Sequence, residues 1–222
     1  MTGAPGPPEG AAADRERRAL VRRGYDVISH AYRSDDGAPG PASDEDAGRY
    51  RGWAAELAGL LPAGARVVDL GCGAGVPGTL ELTRHGLAVL GVDFSGVQLA
   101  RARRLVPAAR FAQADMACFE LRPGSVDAVT AFYSLVHLPV ADQRDLLPRI
   151  RGWLRPGGYL LAIVGAAWWT ATETFLGADM FWDHADTRTY LGWLHTAGLT
   201  PVWHRFIPEG SSGHTLILAG AR

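Results

Sequence analysis

Residues 67–78 read VVDLGCGAGVPG and hold the densest set of groups suited to handling a ligand. An apolar run carrying Asp69 leads into Gly71, Cys72, Gly73 and Gly75, with Gly78 three positions further on. Glycine lacks Cβ, so such a turn can take positive φ and let a ligand approach the main chain. A buried parallel strand hands over to a helix through a turn of this kind in an open α/β sheet. The pattern G-x-G-x-x-G alone fits dinucleotide sites and many accidental loops. Asp69, two positions before the first glycine, sharpens it. Asp93, Asp115 and residues 132–137, which include Phe132, Tyr133 and His137, fall where later strands are expected to end. Ligands bind such sheets at the carboxyl ends of the strands, so the convergence of these groups points to a nucleotide-like ligand.

For these groups to meet, the chain between them must alternate strands with helices. Residues 1–12 are mostly Pro, Gly and Ala and predict a disordered tail. From Asp14, Leu20, Val21, Tyr25, Val27, Ile28, Ala31 and Tyr32 recur at helical spacing; Gly24 weakens this helix, which then needs tertiary packing. Residues 34–48 read as a solvated loop rich in Gly, Pro and acids, or as a mobile lid, so that 13–48 form an N-terminal helix and lid-like loop. A helix over about 48–60 precedes the strand ARVVDL. Further strands are LAVLGVD, ARFAQADM, VDAVTAFYS and YLLAIVG; helices separate them except before VDAVTAFYS, which follows the turn Pro123-Gly124-Ser125, and RPGG at 155–158 turns into YLLAIVG. Ser95 and Asp186 are placed to cap two of these helices, and Pro148 would kink its helix unless the main helix starts near Asp145, with the proline in the first turn. LTPVWHRFIP and HTLILAGA flank EGSSG as an antiparallel hairpin that includes His214. The expected architecture is α/β: a doubly wound, Rossmann-like sheet with a C-terminal antiparallel hairpin, in one main domain over 49–222.

Composition narrows the partners. The chain has 222 residues, 47% hydrophobic and 20% charged, with a formal net charge of −1, ordinary for a globular domain with a substantial core. All 22 basic side chains are arginine, which we read as the codon bias of a high-GC bacterial genome. Near-neutral charge gives no reason to expect nucleic acid or an anionic membrane as partner. Two cysteines, Cys72 and Cys118, make neither a disulfide framework nor a metal-site spacing, so no metal is expected. No apolar run approaches a membrane span, and the first residues lack the apolar core of a signal peptide. These features predict a cytoplasmic location and leave a homodimer open.

VVDLGCGAG, GVDFS, AQADM, AFYSLVHLP and LRPGG occur in the order and approximate spacing of the class I S-adenosylmethionine-dependent methyltransferases of small-molecule type, which the chain resembles from about Tyr25 onward. The leader GYDVISHAYR is similar to that family's N-terminal helix, adding Tyr25 and Tyr32 to the cofactor-binding set. The resemblance implies S-adenosyl-L-methionine as cofactor. It places Gly71, Cys72, Gly73 and Gly75 against the methionine and ribose part. Asp69 would order the loop and meet the ammonium group directly or through water, and Asp93 would accept from the ribose hydroxyls. Phe94, Ser95 and Phe132 would flank the nucleoside, and Asp115 with Met116 would meet the adenine edge.

The implied reaction is displacement at a sulfonium methyl, where the protein aligns the partners and excludes water. A base is needed only for a protonated acceptor; His137 is the best-placed candidate, at once catalytic and cofactor-lining, with Tyr133 second. Acceptor contacts are expected from Tyr25, Tyr133, Trp168, Trp169, Phe175, Phe181, Trp182 and His184. Such aromatic lining suits a flat aromatic acceptor or an amine. That points to a small molecule, in keeping with bacterial specialised metabolism, and not to nucleic acid. The same turn also satisfies the dinucleotide pattern, so an NAD-dependent oxidoreductase is the alternative. Against it, Asp69 beside a pyrophosphate would be unfavourable, whereas beside an ammonium it helps. A third reading is a non-catalytic cofactor-binding subunit.

Overall fold

The computed structural model describes residues 9–35 and 44–222. In chain order the elements are α1 (Glu9–Tyr32), α2 (Asp44–Ala58), β1 (Arg66–Leu70), α3 (Gly78–Arg84), β2 (Ala88–Asp93), α4 (Gly96–Leu105), β3 (Arg110–Gln113) and β4 (Val126–Ala131). There follow a 3-10 turn (Leu135–His137), α5 (Val140–Trp153), β5 (Leu154–Gly165), β6 (Trp169–Phe175), β7 (Ala178–His184), α6 (Thr187–Thr196), β8 (Leu199–Glu209) and β9 (Ser212–Ala221). One seven-stranded sheet runs β3-β2-β1-β4-β5-β9-β8. Its first five strands pair in parallel, and β9 inserts antiparallel between β5 and β8. The strand order reverses between β1 and β4, which is where an open α/β sheet leaves a crevice for a ligand.

The period-two alternation of the strands decides which helices cover which face. Val68, Leu70, Val129, Ala131, Leu160 and Ala162 pack with Leu146, Ile150 and Trp153 of α5 and Tyr190 of α6. Val67, Val89, Ala128, Leu161 and Ile163 pack on the other face with Tyr50, Ala54 and Leu57 of α2 and Leu82 of α3. Asp69, between Val68 and Leu70, therefore points into the second layer. The sheet is doubly wound with a C-terminal hairpin, as its sequence predicts.

Four local expectations change. Helix α1 begins at Glu9, so residues 9–12 are not tail; residues 1–8 lie outside the described residues. Helix α2 begins at Asp44, within the stretch 34–48 read as a loop; residues 36–43, on which the lid reading falls, also lie outside the described residues. Helix α5 starts at Val140, and Pro148 sits in its interior. An interior proline costs roughly 3 kcal/mol, but the extra turns are anchored. Asp183 accepts from the Val140 N–H at 2.8 Å, and buried Gln143 donates to Leu138 O at 2.7 Å. Finally, Arg155-Pro156-Gly157-Gly158 is not a turn before the fifth strand. It lies inside β5 as an irregularity across which the pairing jumps from Val126–Leu154 to Ala128–Tyr159.

The second sheet, β6 paired with β7, was not anticipated. Its core-facing residues Met180 and Phe181 pack on Val21 and Ile28 of α1. Gly24 makes this approach possible, since a Cβ there would lie 2.3 Å from Met180 Sδ. The glycine that weakens α1 locally thus lets β7 dock against it. On the other side α1 is tied to α4 through polar groups. Buried Arg101 donates to the Ser29 carbonyl, to Ser29 Oγ at 2.8 Å and to the Arg33 carbonyl, and pairs with Asp35 at 2.8 Å. The guanidinium gives the Arg33 carbonyl, beyond the last turn of α1, a donor, and adds a second donor to the Ser29 carbonyl, which also accepts from the Arg33 N–H.

Candidate active site

The glycine turn after β1 has the conformation its residues allow. Gly71, Gly73 and Gly75 have φ of 68°, 54° and 77°. A Cβ on Gly71 would stand 2.3 Å from Ser134 Cβ, while one on Gly73 would meet nothing within 4 Å. One glycine therefore admits the neighbouring turn, and the other leaves main chain open to a ligand. Asp93, the last residue of β2, accepts from the Gly73 N–H at 2.9 Å and the Ser95 N–H at 2.8 Å. It fixes the loop with both oxygens, and each keeps a lone pair for a further donor. Burial pushes its carboxyl up to about 6, against the pull of those two N–H groups.

Asp69 is only 2% exposed and accepts from Thr79 Oγ1 at 2.6 Å and Thr130 Oγ1 at 2.8 Å. Burial raises its carboxyl to about 6, with both hydroxyls opposing. Its contacts order the turn by tying β1 to α3 and β4. The charge-repulsion argument against a dinucleotide loses force, because this carboxylate is spent on two hydroxyls. Cys72 packs beside Gly91, and burial holds its thiol well above the ordinary value, so it is a space-filling residue.

Beside the turn lies a cleft of about 600 Å³ counting its open mouth. Gly71, Gly73 and Asp93 form one end; Phe94, Met116, Asp115, Val21, Tyr25, Tyr32, Phe132, Tyr133 and His137 border the rest. Ser95 does not border it: it caps α4 by accepting from the Gln98 N–H and bonds Asp26 of α1. Asp115 does, yet its oxygens already accept from Arg18 Nε at 2.8 Å and the Ala117 N–H at 2.9 Å. Arg18 also bonds Asp142, so α1 closes this side of the cleft through an ion-paired triad. A second, smaller cleft at the turn is bordered by Arg33, Tyr50, Asp69, Gly71–Ala74, Val76–Gly78 and Phe132.

His137 is 9% exposed, and both ring nitrogens are engaged. Nδ1 lies 2.9 Å from the Phe181 carbonyl and Nε2 lies 2.9 Å from the Tyr25 hydroxyl. A carbonyl can only accept, so Nδ1 carries the proton and Nε2 accepts from Tyr25. Burial lowers the imidazole to about 4 and keeps it neutral. Phe181 supplies only that carbonyl; its ring is buried against α1 beneath Arg17. Its expected contact with an acceptor is therefore not formed. Trp182 points the other way and meets His137, Trp169 and Phe175 at centroid distances of 5.6, 5.8 and 6.0 Å. Trp168 is 58% exposed and stands outside this group. His184 donates from Nδ1 to the Ala167 carbonyl at 2.6 Å and packs over Gly165.

Tyr133 follows β4 with φ of 54°, unusual for a residue with a side chain and costing on the order of 1–3 kcal/mol. That conformation carries its hydroxyl to Glu209 Oε1 at 2.7 Å, and Glu209 Oε2 pairs with His214 Nδ1 at 3.0 Å. Sequence reasoning left Glu209 out and treated His214 as part of the hairpin alone. Nothing local marks them; β9 pairing beside β5 brings His214 opposite Gly165, at the carboxyl edge of the sheet. Arg33 was missed as well, though YR ends the leader.

The arrangement fits S-adenosylmethionine by its donor and acceptor chemistry. Asp93 can accept from ribose hydroxyls, and Phe94 and Met116 offer faces to a base. The open backbone at Gly73, with Arg33 and Asp69 near the smaller cleft, suits a zwitterionic amino-acid tail. Asp93, Phe94, Met116, Tyr25, Tyr32, Phe132 and His137 are thus brought together as expected, whereas Ser95, Phe181 and Trp168 are not.

Comparison with known proteins agrees with this geometry. Residues 67–158 match the family model described as a methyltransferase domain. Trans-aconitate 2-methyltransferase of Variovorax paradoxus (strain S110) is 42% identical over 101 residues, 45% of this chain and 38% of its own. The match thus spans less than half the length of that relative. The structure of 1,6-didemethyltoxoflavin-N1-methyltransferase from Burkholderia thailandensis, with bound 1,6-didemethyltoxoflavin and S-adenosylhomocysteine, shares the fold. Its TM-score is 0.69 over 99% of this chain and 92% of its own, at 20% identity. Magnesium protoporphyrin IX methyltransferase from Synechocystis PCC 6803 with bound S-adenosylmethionine reaches 0.71 over 93% and 97%, at 16% identity. Residues 67–158 are therefore similar to a methyltransferase domain, and the chain has the class I fold seen in S-adenosylmethionine-dependent methyltransferases.

Proposed function

We propose that this chain transfers the methyl group of S-adenosylmethionine to a small, flat acceptor. The observation that carries this reading is the continuity of two surfaces. The Gly71–Asp93 end of the cleft suits a nucleoside, and the same cleft runs to the rings of Tyr25, His137 and Tyr133. The cofactor supplies a methyl group already activated as a sulfonium. The chain's residues then have to hold the acceptor in line and exclude water. Tyr25 and His137, hydrogen-bonded and buried, form a neutral pair that fixes the wall at that point. His137 Nε2 is engaged and its basicity is low, so the pair serves to position groups rather than to take the acceptor's proton.

The test is isothermal calorimetry of the full chain with S-adenosylhomocysteine and, separately, NAD. Micromolar or tighter binding of S-adenosylhomocysteine with no heat from NAD is the expected result. Preferential binding of NAD would overturn the reading in favour of an oxidoreductase.

A further inference from the structure

Six rings make an open arc at the carboxyl edge of the sheet. His137 meets Trp182 at 5.6 Å, Trp182 meets Trp169 at 5.8 Å and Trp169 meets His184 at 5.7 Å. His184 meets His214 at 5.9 Å, and His214 meets Tyr133 at 5.2 Å, nearly edge-on. Both ends of this arc, His137 and Tyr133, border the cofactor cleft. Three of the six are histidines, and their nitrogens are used differently. His137 is engaged at both nitrogens. His184 is 7% exposed, bonded through Nδ1 to a carbonyl and made less basic by burial. His214 instead directs Nδ1 to a carboxylate, Glu209 Oε2 at 3.0 Å, and its Nε2 bonds none of the described residues.

We propose that His214 is the general base of this site, with Glu209 as its positioning residue, and that the acceptor is a planar molecule bearing an ionisable hydroxyl, a phenol or enol. This rests on the methyltransferase reading. A carboxylate on Nδ1 fixes the tautomer that leaves Nε2 as a lone pair, and it stabilises the imidazolium that forms when Nε2 takes a proton. As the oxygen–methyl bond forms, the electron pair of the broken carbon–sulfur bond returns to sulfur and the hydroxyl proton passes to His214 Nε2. Charge is conserved, and no further reactant is required.

The groups facing the dyad are consistent with that role. Glu209 receives the Tyr133 hydroxyl on its other oxygen and lies within the field of Arg49 from α2. Burial alone would raise the Glu209 carboxyl, but the hydrogen bonds from His214 and Tyr133 hold it below its ordinary value, so it is ionised at neutral pH. The remaining titratable neighbours, His184 and His137, are both lowered by burial and stay neutral there. The positive φ of Tyr133 places its phenol against this carboxylate, so the backbone conformation itself serves the dyad.

The test uses the full chain with S-adenosylhomocysteine bound and 4-nitrophenol as a chromogenic stand-in for the acceptor, at a pH where the free phenol is mostly neutral. Bound nitrophenol should show the phenolate band. His214→Gln should abolish that band while S-adenosylhomocysteine affinity stays within about two-fold, and Glu209→Gln should reduce it several-fold. Carbethoxylation of the wild-type chain by diethyl pyrocarbonate, mapped by peptide mass spectrometry, needs no folded variant. His214 should react at least ten-fold faster than His137. No phenolate band with wild-type protein, a band unaffected by His214→Gln, or an unreactive His214 each overturns the proposal. Failure of wild-type protein to bind S-adenosylhomocysteine would instead overturn the methyltransferase reading, and the carbethoxylation result would still report on the dyad.

Discussion

Replacing Arg101 with methionine should undock α1 from the cofactor cleft while leaving the sheet intact. Arg101 is 3% exposed, and its guanidinium donates to two main-chain carbonyls and one hydroxyl of the segment that ends α1, besides pairing with Asp35. Hydrogen bonds to a charged group contribute roughly 1.5–3 kcal/mol each. Removing one partner of a buried charged cluster costs about 3–5 kcal/mol. The freed carbonyls lie at a helix end that water can reach once α1 lifts, and methionine fills part of the vacated volume. The lower end of that range, about 3 kcal/mol, is therefore expected, a change of about 100-fold in the population with α1 undocked. Hydrogen–deuterium exchange resolved by peptide reports on this directly. Peptides covering α1 should exchange about 100-fold faster, while those of β1, β4 and β5 keep wild-type protection. Because Val21, Tyr25 and Tyr32 of α1 border the cleft, affinity for S-adenosylhomocysteine should fall with it. Unchanged protection of α1, or an equal loss across the sheet, would refute the idea that this seam holds the helix down.

Asp93→Ala should weaken S-adenosylhomocysteine binding by about 100-fold or more in calorimetry, since two ribose hydroxyls would lose a charged acceptor at roughly 1.5–3 kcal/mol each; unchanged affinity would exclude that role. Gly71→Ala should abolish binding and lower stability by about 2–5 kcal/mol in urea titrations, from a positive φ and a Cβ that would meet Ser134. Asp69 and Asp93 are raised by burial to about 6, above their unfolded values. The folded state then holds more protons between pH 4 and 6, so each contributes stability that is lost as pH rises through that window, by ~2–3 kcal/mol. His137, lowered by burial to about 4, acts with the opposite sign: its neutral folded form adds stability as pH rises from about 4 to 6.5. Urea titrations of Asp69→Asn and His137→Gln across pH 4–7 should show the slope change in opposite directions, and parallel curves would count against these assignments.

Much of the sheet was legible because parallel strands buried on both faces are apolar runs closed by Gly, Asp or Pro, and those signals are local. Asp93 could be placed because it ends its strand immediately before a capped helix. The extent of α5 was not legible. Pro148 argues locally for a later start, and the Asp183 carboxylate that anchors Val140 comes from a strand more than forty residues away. The β6–β7 hairpin went unread for a related reason: residues 169–175 have no buried member to mark a strand face, and they pair with β7, whose Met180 and Phe181 are buried only by packing on α1.

The amino-acid sequence by itself determined the glycine turn, the acids after the strands and the doubly wound order, since these follow from φ preferences and hydrophobic period. Tertiary structure alone decided what each polar group was free to do. Asp69 is committed to two threonines, Asp115 to Arg18 and His137 to Tyr25, while the pairing of β9 with β5 and β8 brings Glu209 and His214 against Tyr133, a residue that borders the cleft. A side chain's chemistry depends on which partners fill its hydrogen-bonding sites and how far it is desolvated. Both are set by contacts between residues distant in the chain, which spacing does not encode.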